Sequence, residues 1–149
     1  MIDKDHILES LFETKGLGDS AWRKRLSRES DQVLQNEAMD SIGAILVSFW
    51  RLPGMPLDSG TPVEWLSDLP GSIVNVHCVC APETAAVRFL QRKRHPGHLD
   101  ARTSSEELLT NFRRIAGLGT LNISNRIEVD TSQELVLDRI RDQILEISD

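Results

Sequence analysis

The chain has 149 residues, of which 40% are hydrophobic and 27% charged, and it carries a net charge of −6 with a pI near 5.2. That length predicts one domain able to bury a core without disulfide staples, and the acidic balance argues against nonspecific binding to nucleic acid or an anionic membrane. No apolar run reaches the ~18 residues of a membrane span, and the opening MIDKDHILES lacks the apolar stretch of a signal peptide.

In chain order, IDKDHILESLFETKG predicts a helix with Ile7, Leu8, Leu11 and Phe12 at helical spacing, Asp3 or Asp5 as its N-cap and Gly16 as its stop. GLGDSA (16–21) matches G-x-G-x-x-A, but it follows a helical pattern where a nucleotide fingerprint follows a strand, so it reads as a helix–helix turn. Asp19 or Ser20 caps a second helix that turns Trp22, Leu26, Val33 and Leu34 to the core. GAILVSFW (43–50) reads as a strand buried on both faces. RLPGMPLDSGTP is a loop and VEWLSDLPG a short helix. SIVNVHCVCA (72–81) is a second doubly buried strand. Its Cys78 and Cys80, the only cysteines, share a face but are poorly placed for a disulfide, which predicts two reduced thiols in a cytoplasmic protein. His77 faces the other way, and no metal site is expected there.

PETAAVRFLQRKR opens a helix with Pro82 at its first position and Glu83 in its first turn. SSEELLTNFRRIAG (104–117) is capped at Ser104 or Ser105, with Glu107 or a neighbour closing a capping box. NRIEVDT (125–131) is a third strand, and SQELVLDRIRDQILEIS a closing helix whose apolar face is Leu137, Ile140, Ile144 and Leu145. There is no internal repeat. Strands alternating with helices predict an α/β fold with a mainly parallel sheet built from 44–50, 73–80 and 126–130. Ligands in such sheets bind beyond the carboxyl ends of the strands, which directs attention to Arg51, to Ala81 through Glu83, and to Thr131 and Ser132.

RFLQRKRHPGHLD (88–100) concentrates positive charge in an acidic chain. Arg88 and Arg92 are i,i+4 on one helix face and Arg94 follows half a turn on, an arrangement suited to phosphate oxygens or, in the blander reading, to a solvated basic face. Pro96 and Gly97 break the helix. That makes a helical arm bent at HPGH, whose His95 and His98 contact phosphate or cap helix ends.

The run VHCVCAPETAAVRFLQRKRHPGHLD followed by IEVDTS resembles the C-terminal half of small P-loop kinases of the AAA-type, zeta-toxin-like and chloramphenicol-phosphotransferase-like kind. IDKDHILESLFETKGLGDSAWRKRL and GAILVSFW are similar to the stretch after the second strand of such proteins, so the resemblance covers almost the whole chain. It implies a three-layer, P-loop NTPase-like parallel sheet, truncated at the N-terminus. Residues 1–149 would then be a single domain, the C-terminal four-fifths of such a kinase, with 82–116 as a lid arm more mobile than the sheet. It further implies ATP and Mg²⁺ as cofactors and a small-molecule hydroxyl as acceptor. Asp3 or Asp5 would be the base, and Arg88, Arg92 and Arg94 the catalytic lid over the β- and γ-phosphates. Arg92, His95, His98, Thr131 and Ser132 would bind nucleotide, the last two on the adenine side.

The sequence departs from that pattern in two ways. The first strand and the Walker A loop would precede Met1, and no G-x-x-x-x-G-K-[ST] occurs, so no lysine takes the phosphate-cradling role and no Ser or Thr the Mg²⁺ role. GAILVSFW, which stands for the third strand of such proteins, carries Val47 and Ser48 where they often place an acid. With an expected strand order of 2-3-1-4-5, strands 44–50 and 73–80 lose their shared neighbour unless they pair directly. Two functions follow as expectations. One is an ATP-dependent phosphotransferase completed by an upstream Walker A segment. The other is a degenerate, non-catalytic relative that acts as a binding or interaction module, with no useful transfer from ATP. A nucleic-acid binder using RFLQRKR is disfavoured by the 5% aromatic content, the lack of Tyr and the acidic balance.

Overall fold

A computed structural model describes residues 1–100 and 103–148; positions 101 and 102 of the expected arm lie outside the described residues. Among the described residues the chain is mixed α/β, with five α-helices and short parallel sheets, and it divides into two compact units. The first comprises Met1–Arg51, Pro56–Pro70 and the described residues of Lys93–Arg102; the second comprises Leu52–Met55, Gly71–Arg92 and the described residues of Thr103–Asp149.

The first unit is built as strand, helix, helix, strand: β1 (Ile2–Asp3), α1 (Lys4–Lys15), α2 (Ser20–Met39) and β2 (Leu46–Val47). Of the two candidate caps, Asp3 takes the start of α1, its Oδ1 accepting from Asp5 N at 2.9 Å. Gly16 ends the helix at φ +83°, donating its N–H to Phe12 O. Asp19 caps α2 through Trp22 N at 2.8 Å, so GLGDSA is the turn between two helices. Leu8, Phe12 and Leu26 form the core of this unit with Leu11 and Trp22 packed against them, and Leu34 is fully buried. β1 and β2 pair in parallel, Ile2 opposite Leu46, and the α1–α2 hairpin supplies the long crossover that parallel pairing requires.

Strand 44–50 is shorter and more open than its composition suggests. Only Leu46 and Val47 enter the ladder, and Ile45, Val47 and Phe49 stay exposed on one face. An apolar run records the absence of charge but not how many layers cover it. The short helix expected in VEWLSDLPG is a 3-10 helix over Glu64–Asp68, with Trp65 and Leu66 buried.

The second unit repeats the plan with unrelated sequence: β3 (Asn75–Val79), α3 (Pro82–Gln91), α4 (Ser105–Ala116) and β4 (Arg126–Asp130), followed by α5 (Leu137–Ser148). β3 and β4 pair directly and in parallel from Asn75 opposite Arg126 to Val79 opposite Asp130. α4 opens with a capping box between Ser104 and Glu107, and α3 meets α4 through an edge-on contact of Phe89 with Phe112 at 6.0 Å. Ile127 and Val129 are buried, but Val76 and Cys78 are exposed, so β3 is covered on one face where the sequence predicts two. On α5, Ile140 is half-buried while Leu137 and Leu145 stand out into solvent.

Candidate functional site

Most of the residues singled out in HPGH and its flanks gather on α1. Pro96–His98 form one 3-10 turn, started by His95, whose Nδ1 accepts from Gly97 N at 3.2 Å, and ended by Leu99 in the left-handed region at φ +60°. His95 stacks on Phe12 at 5.3 Å between ring centroids, and His98 meets the same ring edge-on at 5.6 Å. Gly97 passes between them so closely that a Cβ there would lie 2.4 Å from Phe12 Cδ2. His98 is buried; its Nε2 lies 3.0 Å from Glu9 Oε1, its carbonyl accepts from Arg23 Nε of α2 at 3.0 Å, and its Nδ1 has no hydrogen-bond partner among the described residues. Arg94 is held between two acids: its Nη2 bonds Asp5 Oδ2, and its Nη1 donates to Asp100 Oδ2 at 3.2 Å. The stretch 93–100 is therefore a strap fastened to α1 by ring stacking and to both helices by polar bonds. Burial first, and then the charge of Arg94, hold the His98 imidazole below its ordinary value, against the opposing pull of Glu9, Asp5 and Asp100.

A second polar cluster lies at the carboxyl ends of β1 and β2, where α/β sheets place their ligands. Lys4 directly follows β1, and Ser48 directly follows β2. Lys4 Nζ donates to Thr61 Oγ1 at 3.0 Å and lies 2.5 Å from Asp31 Oδ1; Ser48 Oγ is 2.6 Å from the same Thr61 hydroxyl. Arg28 Nη1 reaches Asp31 and the Gly60 carbonyl, both at 3.4 Å. Burial lowers the Lys4 ammonium below its usual value, with Asp31 opposing. An amine, a carboxylate and two hydroxyls in contact have the parts of a proton relay. Thr61 and Asp31 are buried, however, and the bonds run from the loop 57–61 to α1 and α2, so the cluster fastens that loop. Sequence reasoning missed Lys4 and Thr61, and marked Ser48 only as standing where an acid was expected, because β1 is two residues long; the position of Lys4 at the end of a strand was the signal to follow. Arg51, which it did mark, donates from Nη1 to Leu57 O at 2.9 Å and bonds Glu64.

In the second unit the expected adenine-side loop meets the expected lid. Arg88 donates from Nη1 to Thr131 Oγ1 at 2.9 Å and from Nη2 to Thr131 O at 2.8 Å. The Thr131 hydroxyl in turn donates to Val79 O at 3.1 Å, tying the ends of β3 and β4. Asp130 Oδ1 accepts from Ser132 N and Oγ, which lowers the Asp130 carboxyl below its usual range. Arg92, i,i+4 from Arg88, lies over the Phe89 ring at 4.2 Å. Asp3 is the α1 cap described above. Asp5 with Arg94, and Arg88 with Thr131, are thus brought into contact in separate units.

No family model, curated protein or solved structure matches this chain. Among the described residues no cluster of three or more His, Cys, Asp or Glu is placed to hold a metal ion, and no helix is long and apolar enough to cross a membrane. The residues on α1 do not fit a magnesium-bound triphosphate. The cation, Arg94, already spans two carboxylates, and Asp5 Oδ2 already accepts from it. Two acids around one arginine make a closed ion cluster, whereas a phosphate cradle presents uncommitted donors.

Proposed function

We propose that the chain is a non-catalytic relative of the P-loop kinases that acts as a binding module, holding a partner in the cytoplasm rather than transferring phosphate. One observation carries this reading: Arg94 is shared between Asp5 and Asp100. Phosphoryl transfer draws nearly all of its rate from positioned charge. Here one of the three arginines expected over the phosphates, Arg94, and one of the two acids expected as base, Asp5, neutralise each other. Free thiols at Cys78 and Cys80 suit a reducing compartment. A phosphotransferase acting on a small-molecule hydroxyl would need Arg94 to leave both acids before ATP and Mg²⁺ were bound.

The test is phosphate release from Mg·ATP, alongside an NMR titration with ATP that follows the amides of 88–98 and 131–132. We expect no turnover above the buffer blank and no saturable shifts. Arg94→Ala should lower stability by about 1–3 kcal/mol, since it removes charge-assisted hydrogen bonds, without altering the response to ATP. Turnover that persists through repurification and disappears in Asp5→Asn would overturn the reading.

A further inference from the structure

The strap 93–100 lies in the first unit with α1 and α2, and its hold on α1 turns on one ring. His98 is 4% exposed, and the charged groups that face it come from three elements: Glu9 and Asp5 from α1, Arg23 from α2, and Arg94 and Asp100 from the strap itself. Its Nε2 lies 3.0 Å from Glu9 Oε1. A carboxylate only accepts, so the neutral ring carries its proton on Nε2 and leaves Nδ1 as a bare acceptor. Nδ1 is buried and meets no hydrogen-bond partner among the described residues. A second proton would go to Nδ1 and make an N–H with nothing there to accept it. A buried donor without an acceptor is unfavourable, and a charged one more so. The carboxylates pull the other way, but Asp5 and Asp100 are already engaged by Arg94, whose own charge opposes a second cation beside it. The ring is also confined. It stands edge-on to Phe12, His95 stacks on that same ring, and Gly97 passes against it. Turning Nδ1 toward another acceptor would break both the Glu9 bond and the contact with Phe12.

We propose that the strap is an acid-released latch, which holds to α1 while His98 is neutral and lets go, with α1 and α2 still folded, when Nδ1 takes a proton. In the released form Nδ1–H is solvated, and the Phe12 face that His95, Gly97 and His98 cover is laid open. This goes beyond the binding-module reading and does not depend on it. The sign follows from the two states of the ring. Released, the imidazole titrates near its ordinary value of about 6.5; held, it titrates below that value. Release therefore becomes easier as pH falls through about 6.5, until the held ring is itself protonated. For a single proton the opening constant rises by up to roughly tenfold between about pH 7.5 and 5.5.

Native-state hydrogen exchange of the full chain, corrected for the intrinsic rate at each pH, reads that constant. His98 N and Leu99 N donate within the strap, to His95 O and Pro96 O, both at 3.1 Å. A turn of three residues does not persist once detached, so these two amides report release. We expect their protection to fall by up to roughly tenfold from about pH 7.5 to 5.5. Low urea should leave it unchanged, the mark of a local opening, whereas the amides of Leu26 and Leu34 in α2 should follow the urea dependence of unfolding. The fall should level off at the midpoint that the His98 C2–H resonance gives for the held ring. His98→Gln keeps a donor for Glu9 and should remove the pH response of the strap amides. Protection that does not change with pH, strap amides that share the urea dependence of Leu34, or an equal response in His98→Gln would each overturn the proposal. The wild-type ring supplies a test that needs no variant: a held His98 that titrates at or above about 6.5 would overturn it too.

Discussion

Gly97 is held by proximity, since any side chain there must displace the Phe12 ring. Gly97→Ala should cost about 1–3 kcal/mol, the usual penalty for overpacking, read as a lower urea midpoint at unchanged slope. Gly43→Ala is the control, because a Cβ at Gly43 meets nothing within 4 Å. His98 makes a pH-dependent prediction at the same place. Its native imidazole titrates below the ordinary value near 6.5, so in that window the unfolded chain binds a proton that the native chain does not. Stability should therefore fall as pH drops through about 6.5 and level off below the lowered native value. The groups facing His98 are Glu9, Asp5, Asp100, Arg94 and Arg23. His98→Gln keeps a donor for Glu9 but cannot titrate, and it should flatten that slope in urea midpoints measured between about pH 5.5 and 7.5. An equal slope in the variant would assign the effect elsewhere.

Capped helix ends were the most legible, because the side chains that cap them act on the nearest few backbone groups; ends without such a signal were not, since α3, expected to reach 94, stops at Gln91 and α5, expected from 132, starts at Leu137. Asp3, Gly16, Asp19, Pro82 and Ser104 each stand where local chemistry puts them. The Ser104–Glu107 box is reciprocal, with Glu107 N donating to Ser104 Oγ at 3.2 Å and Ser104 N to Glu107 Oε2 at 3.1 Å. Ser104→Ala should cost about 0.5–2 kcal/mol, measurable as a loss of thermal stability that Ser104→Asp largely restores. Strands were less legible, since their depth depends on partners far along the chain. The same apolar run reads as a buried strand or as one half-open to solvent, as 44–50 proves to be. β1 left no pattern at all, because two residues are too few to show a period of two.

Across the whole molecule, the two β-α-α-β crossovers recur without a repeat in the sequence, so no search for internal similarity reveals the plan. The candidate site was half legible. The acids and arginines were chosen by residue type, and Asp5 with Arg94 do meet across the chain. Spacing alone could not tell that they meet to cancel one another, or that Arg92 turns to the neighbouring Phe89 while Arg88 turns to Thr131. The strap also has an origin in the chain that sets it apart. It belongs to the first unit but comes, in sequence order, after α3 and before α4, so the first unit is assembled from separated stretches of the chain. During translation, α1 and α2 leave the ribosome long before His95–His98 are made. The Phe12 ring then waits without its cover, and a nascent chain passes through a stage in which that apolar face is open to chaperones. Stalled chains that end just before residue 93 should show α1 more readily cut by protease than chains long enough to free residue 100 from the exit tunnel.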